Sequence, residues 1–183
     1  MVQGLILGVD PGTTVMGFAL LQVKGGKTTV LEVNTVRMTR LPDQNAKLKR
    51  IFESTVEIVE KYKPEILAIE APFFGKNPQS MLKLGRAQGV VIAACLYQGL
   101  EVFEYSPRKI KQSITGKGSA SKEQVAAMLH RMCDIPSAPI ALDATDALAA
   151  AYCHYLQNRI HTKDQNNSGW AGFLAKNSDR IIQ

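Results

Sequence analysis

Residues 5–12 read Leu-Ile-Leu-Gly-Val-Asp-Pro-Gly, and these eight residues indicate the fold class. Its almost uninterrupted apolar run suits a strand that is buried on both faces, as in the middle of a layered α/β sheet. An acid, a proline and a glycine then end the strand. Residues 65–70, Glu-Ile-Leu-Ala-Ile-Glu, repeat the pattern of a short apolar strand that ends on an acid. The sequence therefore predicts an α/β fold with Asp10 and Glu70 at strand ends.

The rest of the chain predicts three further strands and four helices. Because three strands come first and short strands then alternate with helices, we expect a mixed five-stranded sheet with helices on both faces. In such sheets the functional sites lie at the carboxyl ends of the strands, where Asp10 and Glu70 fall. The further strands are predicted at 17–23, 28–37 (after a Gly25-Gly26 hairpin turn) and 102–105, and the helices at 45–62, 78–97, 121–133 and 142–158.

Length and composition limit the class of protein. The 183 residues give room for one domain, predicted over 1–160, followed by a polar tail over 161–183. With 45% hydrophobic and 21% charged residues, the chain is neither disordered, collagen-like nor a coiled coil. No apolar run is long enough to cross a bilayer and no signal-peptide pattern opens the sequence, so we expect a cytoplasmic protein without membrane contact. The three cysteines are widely spaced, which predicts buried thiols and neither disulfides nor zinc.

The basic residues are concentrated in one segment. Lysine and arginine number 22 against 16 acids, a net charge of +6. From Tyr105 to Lys122, with Lys122 included, there are five of these basic residues and no acid. Glycines and small polar residues separate them, so we predict a flexible loop that offers cations and backbone N–H groups to phosphate.

A second pair of acids follows in the last predicted helix. Asp143 and Asp146 are three residues apart, which places both carboxylates on one helix face. A helix cap, a favourable helix dipole or a turn would explain any one acid alone. Four carboxylates without a histidine and cysteine cluster indicate a hard cation, Mg²⁺ or Mn²⁺. Two such ions about 4 Å apart can hold the attacking and leaving oxygens of a phosphoryl transfer.

An ordered set of motifs resembles one family. Over roughly residues 5–156 the chain is similar to the RuvC-type crossover-junction endonucleases, the bacterial Holliday-junction resolvases of the ribonuclease H-like superfamily. The motifs that carry the resemblance are Gly8-Val-Asp-Pro-Gly12, Ala68-Ile-Glu70, Lys76-Asn77, Leu82-Lys-Leu-Gly-Arg-Ala-Gln-Gly89, Lys109-Ile-Lys-Gln112, Gly116-Lys-Gly-Ser-Ala120 and Asp143-Ala-Thr-Asp-Ala-Leu-Ala149.

The resemblance implies roles for twelve residues. The four acids, Asp10, Glu70, Asp143 and Asp146, match catalytic ligands of two Mg²⁺ ions, for which Mn²⁺ substitutes, in a phosphodiester hydrolysis that leaves a 5′-phosphate. The basic residues Lys111 and Lys122 match residues that the family needs for activity. Phe73 matches an aromatic residue that stacks on an unpaired base, with Phe74 in the core. The remaining candidates for DNA contacts are Lys76, Lys83, Arg86, Lys109 and Lys117, although a solvated surface would also explain these lysines and arginines.

The resemblance also implies partners. These are a four-way DNA junction, a second copy of the chain and a RuvA–RuvB-type branch-migration complex, in recombination and repair. The apolar helix 81–97 is the candidate dimer face. The alternative is that it only packs against the sheet as part of the core. The three histidines lack metal-ligand spacing, and His154 is interpreted as structural or surface.

Three alternatives stay open. The first is a nuclease of the same superfamily that acts on structured RNA. The second is a sugar kinase or ATPase of the actin-like group, which Asp10-Pro-Gly-Thr-Thr also resembles but which needs two such domains. The third is a non-catalytic nucleic-acid-binding module, although unneutralised carboxylates would weaken its hold on phosphate.

Overall fold

A computed structural model describes residues 3–72, 77–133, 135 and 141–165. All five predicted strands form, with bounds that differ from the predicted ones by at most two residues. The elements are β1 (Gly4–Asp10), β2 (Val15–Lys24), β3 (Lys27–Arg37), α1 (Gln44–Tyr62), β4 (Ile66–Glu70), α2 (Pro78–Tyr97), β5 (Glu101–Tyr105), α3 (Pro107–Thr115), α4 (Lys122–Met132) and α5 (Leu142–Gln165).

The strands form one mixed sheet in the order β3-β2-β1-β4-β5, as predicted. β2 pairs antiparallel with both β1 and β3, whereas β1, β4 and β5 are parallel. Val9 is in register with Ile69 across β1 and β4. Asp10 and Glu70, the next residues on each strand, therefore leave the sheet side by side at one edge.

Helices cover both faces of the sheet, which confirms the predicted architecture. Alternate residues of β1 supply the two cores, because successive side chains of a strand point to opposite faces. Leu7 packs with residues of α1 and α2, and Ile6 packs with residues of α3, α4 and α5. We refer to these two sides as the α1–α2 face and the α5 face.

Helix α5 lies directly on the sheet. A β-carbon on Gly8 would be 2.1 Å from the carbonyl oxygen of Ala147, and one on Gly17 would be 1.9 Å from that of Asp143. Both distances are far below van der Waals contact, so only glycine permits this approach. The alanines on the contact side of the helix are fully buried; they include Ala147, Ala150 and Ala151.

The β2–β3 hairpin turn lies at the opposite end of the sheet from Asp10. Gly25 and Gly26 have φ of 57° and 77°, the left-handed conformation that two-residue hairpin turns require. The Tyr155 hydroxyl of α5 donates a hydrogen bond to the carbonyl oxygen of Gly26 at 2.8 Å. The turn is thus attached to α5.

The prediction of a flexible loop from Tyr105 to Lys122 is wrong for its first half, which forms helix α3. Ser106 caps the helix by accepting from the Lys109 backbone N–H, and the glycine at 116 ends it in the left-handed conformation. Ile110 and Ile114, four residues apart, are buried in the α5-face core. This burial stabilises a helix too short to form alone. The Thr115 hydroxyl also fixes the start of the following loop, because it donates a hydrogen bond to the Lys117 carbonyl oxygen and accepts one from the Lys117 backbone N–H.

Helix α5 continues to Gln165, past its predicted end at 158 and into the segment after Ile160 that was predicted to be irregular. Residues 159–165 contain no glycine or proline that would end a helix. The rest of the predicted tail lies outside the described residues, and the domain boundary at 160 stays a prediction. All three cysteines are free and buried, which confirms the prediction of buried thiols. Within the described ranges no helix combines the length and apolar character that a bilayer span requires.

Candidate active site

Three carboxylates from two elements meet at the edge of the sheet. Asp10 ends β1, and Asp143 and Asp146 lie in the first two turns of α5. One oxygen from each of the three lies within 4.8 Å of the others. The convergence follows from the close approach at Gly17, where the Asp143 backbone rests on β2. The sequence predicts the acids, whereas only the packing shows that they meet.

A pocket of about 130 Å³ lies beside these acids, and Asp10 and Asp146 line it. Glu70 lies outside the 4.8 Å group but lines the same pocket as Asp10 and Asp146. Two lysines, Lys111 and Lys122, line it as well. Its apolar wall consists of Pro107, Ile110, Val125 and Ala149. The structure thus brings together the six residues that were predicted to be catalytic.

Lys122 forms an ion pair with Asp146 inside the site. It is the first residue of α4, which a reciprocal capping box between Ser121 and Gln124 fixes in place. Burial lowers the pKa of Lys122, but the hydrogen bond to Asp146 and the neighbouring carboxylates outweigh burial and raise it above its ordinary value. Lys122 therefore keeps its positive charge at neutral pH.

Burial and mutual repulsion raise the pKa values of two of the carboxyl groups, Asp10 and Glu70. Burial raises the pKa of Asp10 to about 6, and the negative charges of Asp146 and Asp143 add to the rise while Lys122 opposes it. Burial and the charge of Asp10 raise the pKa of Glu70 to about 7. Four acids face two lysines, so a divalent cation would relieve the repulsion. Carboxylate oxygens are the ligands that Mg²⁺ and Mn²⁺ prefer, and the donor set fits such ions.

Glu70→Gln is expected to stabilise the metal-free protein increasingly as the pH rises. The folded state binds the Glu70 proton more tightly than the unfolded chain, so the wild type loses stability as pH rises from about 4.5 through about 7. The variant, whose neutral amide does not titrate, does not lose this stability as the pH rises. We expect the melting temperatures to agree near pH 4, below the ordinary pKa of glutamate, and the variant to melt about 5 °C higher at pH 8. Thermal unfolding in EDTA measures this difference.

The comparison between variant and wild type cancels the contribution of His154, whose lowered pKa gives the opposite slope at acidic pH. Saturating Mg²⁺ is expected to reduce the difference at pH 8, because the ion relieves the repulsion in the wild type. A difference in melting temperature that stays constant between pH 5 and pH 8 would contradict the raised pKa of Glu70.

The other predicted contacts lie outside the pocket or outside the described residues. Lys109 and Lys117 are exposed on α3 and the loop that follows it. Lys83 and Arg86 are exposed on α2, whose core residues belong to the α1–α2 face. Phe73, Phe74 and Lys76 lie outside the described residues. The roles of all these residues stay predictions.

Sequence reasoning missed one exposed cation at the same edge. Thr35 of β3 is aligned with Asp10 through Gly17 of β2, and Arg37 lies two residues further along β3. Strand alternation places its side chain on the α5 face, beside the N-terminus of α5. None of the ion pairs among the described residues involves Arg37. The Gly25-Gly26 turn alone would not have found Arg37, because the pairing of β2 with β3 shifts by one residue between Leu20 and Leu21, and such a shift changes which residues of β3 face α5.

Comparisons with known proteins agree on one family. The family described as crossover junction endodeoxyribonuclease RuvC matches residues 6–154. The RuvC proteins of Bacteroides fragilis and Cytophaga hutchinsonii are 50% and 49% identical over 98% of this chain, which covers 96% and 89% of their lengths. The solved structure of T. thermophilus RuvC in complex with Holliday junction substrate is similar, with a TM-score of 0.80 and 32% identity over 87% of this chain and 98% of that one.

The structural match confirms the ribonuclease H-like fold that the motifs predict. The family match spans β1 to α5 and therefore every element that contributes to the pocket. The ordered motifs, the mixed sheet and the acidic site thus agree with the comparisons, and this chain belongs to the RuvC family of crossover junction endodeoxyribonucleases.

Proposed function

We propose that this protein resolves Holliday junctions by Mg²⁺-dependent hydrolysis of phosphodiester bonds in two symmetric strands, in DNA recombination and repair. The observation that carries the proposal is the meeting of Asp10, Asp143 and Asp146 oxygens within 4.8 Å, beside Glu70 and two lysines. The names of the relatives, and the Holliday junction in the T. thermophilus complex, support the choice of substrate.

The four acids would hold two Mg²⁺ ions, with Mn²⁺ as a substitute. Bound Mg²⁺ supplies polarisation of the scissile phosphate and a water of lowered pKa. Lys122 keeps a fixed positive charge against Asp146, where it would stabilise charge that develops on the phosphate. Lys111, on the α3 wall of the pocket, provides a second cation. The 5′-phosphate product follows if the leaving group is the 3′-oxygen.

The basic surface around the site would hold the arms of the junction. Lys109 and Lys117 flank the pocket on the α3 side, and Arg37 flanks it on the β3 side. Cations on both sides of a cut strand neutralise neighbouring phosphates. Lys76, Lys83 and Arg86 are further phosphate contacts in this proposal, and Phe73 stacks on an unpaired base.

Two copies of the chain would supply the two cuts. A two-fold dimer presents identical sites to the two equivalent strands of a junction. Helix α2 exposes Leu82, Leu96 and Tyr97, with 65%, 56% and 85% of their surfaces accessible, and α1 exposes Phe52 beside it. These apolar side chains on the α1–α2 face support the proposed dimer surface. A RuvA–RuvB-type branch-migration complex is the proposed further partner.

The proposal is tested with an end-labelled synthetic four-way junction in Mg²⁺, beside a linear duplex and an RNA hairpin. We expect symmetric nicks in the junction, a 5′-phosphate at each nick and no cleavage in EDTA. A cut hairpin beside an intact junction would favour the RNA-processing alternative. Tight junction binding without cleavage in Mg²⁺ or Mn²⁺ would favour the binding module, and ATP binding would favour the actin-like alternative.

Arg37→Ala is expected to weaken junction binding through the loss of one phosphate contact. The slope of log Kd against log salt should fall by about one. Lys27→Ala is the matched control, because Lys27 is exposed at the other end of β3, roughly 33 Å away. Fluorescence anisotropy between 50 and 200 mM salt (about the range over which such slopes are resolved) measures both variants. Equal slopes for the two variants would remove Arg37 from the DNA surface.

A further inference from the structure

We propose that the buried Tyr105–His154 pair holds the end of β5 against α5 and thereby positions Lys111 in the active site. This inference rests on the proposed function, since it assigns positioning residues to that reaction. Neither residue lines the pocket, and the role assigned to them is indirect.

The pair is a closed polar contact within the α5 side of the molecule. The Tyr105 hydroxyl oxygen lies 2.8 Å from Nδ1 of His154, whose side chain is 1% exposed. The Phe103 ring packs on the imidazole with centroids 4.5 Å apart. Asn158, one turn further along α5, places its amide nitrogen 3.0 Å from Nε2. Both imidazole nitrogens therefore have partners, as burial requires.

The partners determine where the imidazole proton lies. The Asn158 amide nitrogen can only donate, and it lies 3.1 Å from the His154 carbonyl oxygen as well as near Nε2. Nε2 is therefore an acceptor. Burial lowers the pKa of His154 to about 4, so the ring is neutral and carries a single proton. That proton is on Nδ1, which donates to the Tyr105 hydroxyl oxygen.

Tyr105 connects the pair to the active site through β5. It is in register with Glu70, and its carbonyl oxygen accepts a hydrogen bond from the Ala71 backbone N–H at 2.9 Å. The next residue, Ser106, caps α3, and Pro107 is the first residue of the pocket wall. Lys111 follows one turn later on the same short helix. A shift of Tyr105 would therefore move the start of α3.

His154 connects the pair to the acids through α5. It lies eight residues after Asp146 on one continuous helix, roughly 12 Å along the axis. The helix backbone is fixed on β1 and β2 by the close approach at Gly8 and Gly17. The Tyr105–His154 contact thus fixes the lysine-bearing α3 relative to the acid-bearing α5. A directional hydrogen bond sets such a register more narrowly than apolar packing does.

The test begins with Tyr105→Phe, which removes one hydroxyl and keeps the ring. We expect the single-turnover cleavage rate at saturating junction to fall about fivefold, with junction Kd unchanged. In a Lys111→Ala background the same change should cost less than twofold, because the lysine to be positioned is gone. In a Lys122→Ala background, which affects α4, the full loss should remain. Equal losses in both backgrounds would overturn the proposal.

Two His154 variants test the placement of the proton. The amide nitrogen of asparagine replaces Nδ1 in position, and that of glutamine replaces Nε2. We expect the His154→Asn variant to cleave at close to the wild-type rate. The His154→Gln variant should cleave as slowly as Tyr105→Phe. Melting temperatures identify any variant that has merely lost stability. Greater recovery by glutamine than by asparagine would contradict the donor role of Nδ1.

Hydrogen exchange provides a readout that does not depend on cleavage. Backbone amides of α3 should exchange at least threefold faster in Tyr105→Phe, with those of α4 unchanged. If the wild type leaves the junction intact, the proposed function fails while this readout still tests the link from Tyr105 to α3. If the wild type cuts and α3 exchange does not change, the positioning role alone is wrong.

Discussion

Asp10→Asn is expected to abolish junction cleavage and at the same time to stabilise the metal-free protein. Asp10 ends β1, and one of its carboxylate oxygens lies within 4.8 Å of oxygens of Asp143 and Asp146 on α5. An amide keeps the shape of the side chain but loses the charge that would hold a cation. Loss of several kcal/mol of charge stabilisation corresponds to a fall of about a thousandfold or more in rate.

The gain in stability follows from the same charge. The pKa of Asp10 is raised from 3.8 to about 6, so above pH 6 the folded protein carries an unfavourable carboxylate. Its removal should increase the free energy of unfolding by about 1–3 kcal/mol at pH 8 without metal. Urea unfolding in EDTA and single-turnover cleavage in Mg²⁺ measure the two effects. Added Mg²⁺ should raise the melting temperature of the wild type more than that of the variant.

Asp43→Asn is the matched control for the carboxylate-to-amide change. Asp43 is exposed and caps α1 by accepting from the Ala46 backbone N–H, a role that asparagine fills equally well. Cleavage and stability should both stay at the wild-type level. If Asp10→Asn lowered the free energy of unfolding enough to unfold the protein under the cleavage conditions, the loss of cleavage would reflect unfolding. It would then give no evidence for a role of Asp10 in the reaction.

Gly17→Ala is expected to have the largest effect on stability. The new β-carbon would lie 1.9 Å from the carbonyl oxygen and 2.5 Å from the carbonyl carbon of Asp143. Both are backbone atoms, so α5 or β2 must shift. We expect the free energy of unfolding to fall by about 3–5 kcal/mol. In the fraction that folds, displacement of Asp143 by about 1 Å should lower cleavage by about a hundredfold.

Gly89→Ala provides the stability control for this substitution. Gly89 is exposed on α2, and a β-carbon there would meet no atom within 4 Å. Alanine in an exposed helix should stabilise the protein by about 0.5–1 kcal/mol. Urea unfolding of the two variants beside the wild type measures the contrast. Similar stabilities of Gly17→Ala and the wild type would show that α5 does not rest on β2 as described.

The strands and most helices could be predicted because their signals are local. The buried run before Asp10 needs no partner to be interpreted as a strand, and the same holds for the run before Glu70. Parallel pairing then places both acids at one edge. The acids of α5 were predicted from spacing alone. Their distance from Asp10 was not, because it depends on a helix that touches a strand at Gly17.

The elements that sequence reasoning missed depend on tertiary contacts. Helix α3 has a good cap but only Ile110 and Ile114 to mark its buried side, and the basic residues around them, with the glycines that follow, suggested a loop. The burial of those two residues is a property of the packed protein. Arg37 likewise reaches the active-site edge only through the register of β3 on β2. Neither relation could be read from the residues in order.

The hairpin turn at Gly25-Gly26 provides an attachment point for observing single molecules. It lies at the end of the sheet opposite Asp10, roughly 33 Å along β3 from Arg37, and a β-carbon on either glycine would meet no atom within 4 Å. A biotin or dye placed there would leave the acidic pocket clear. Because Tyr155 bonds the turn to α5, the helix that carries Asp143 and Asp146, such a label would report the motion of the cleavage site itself.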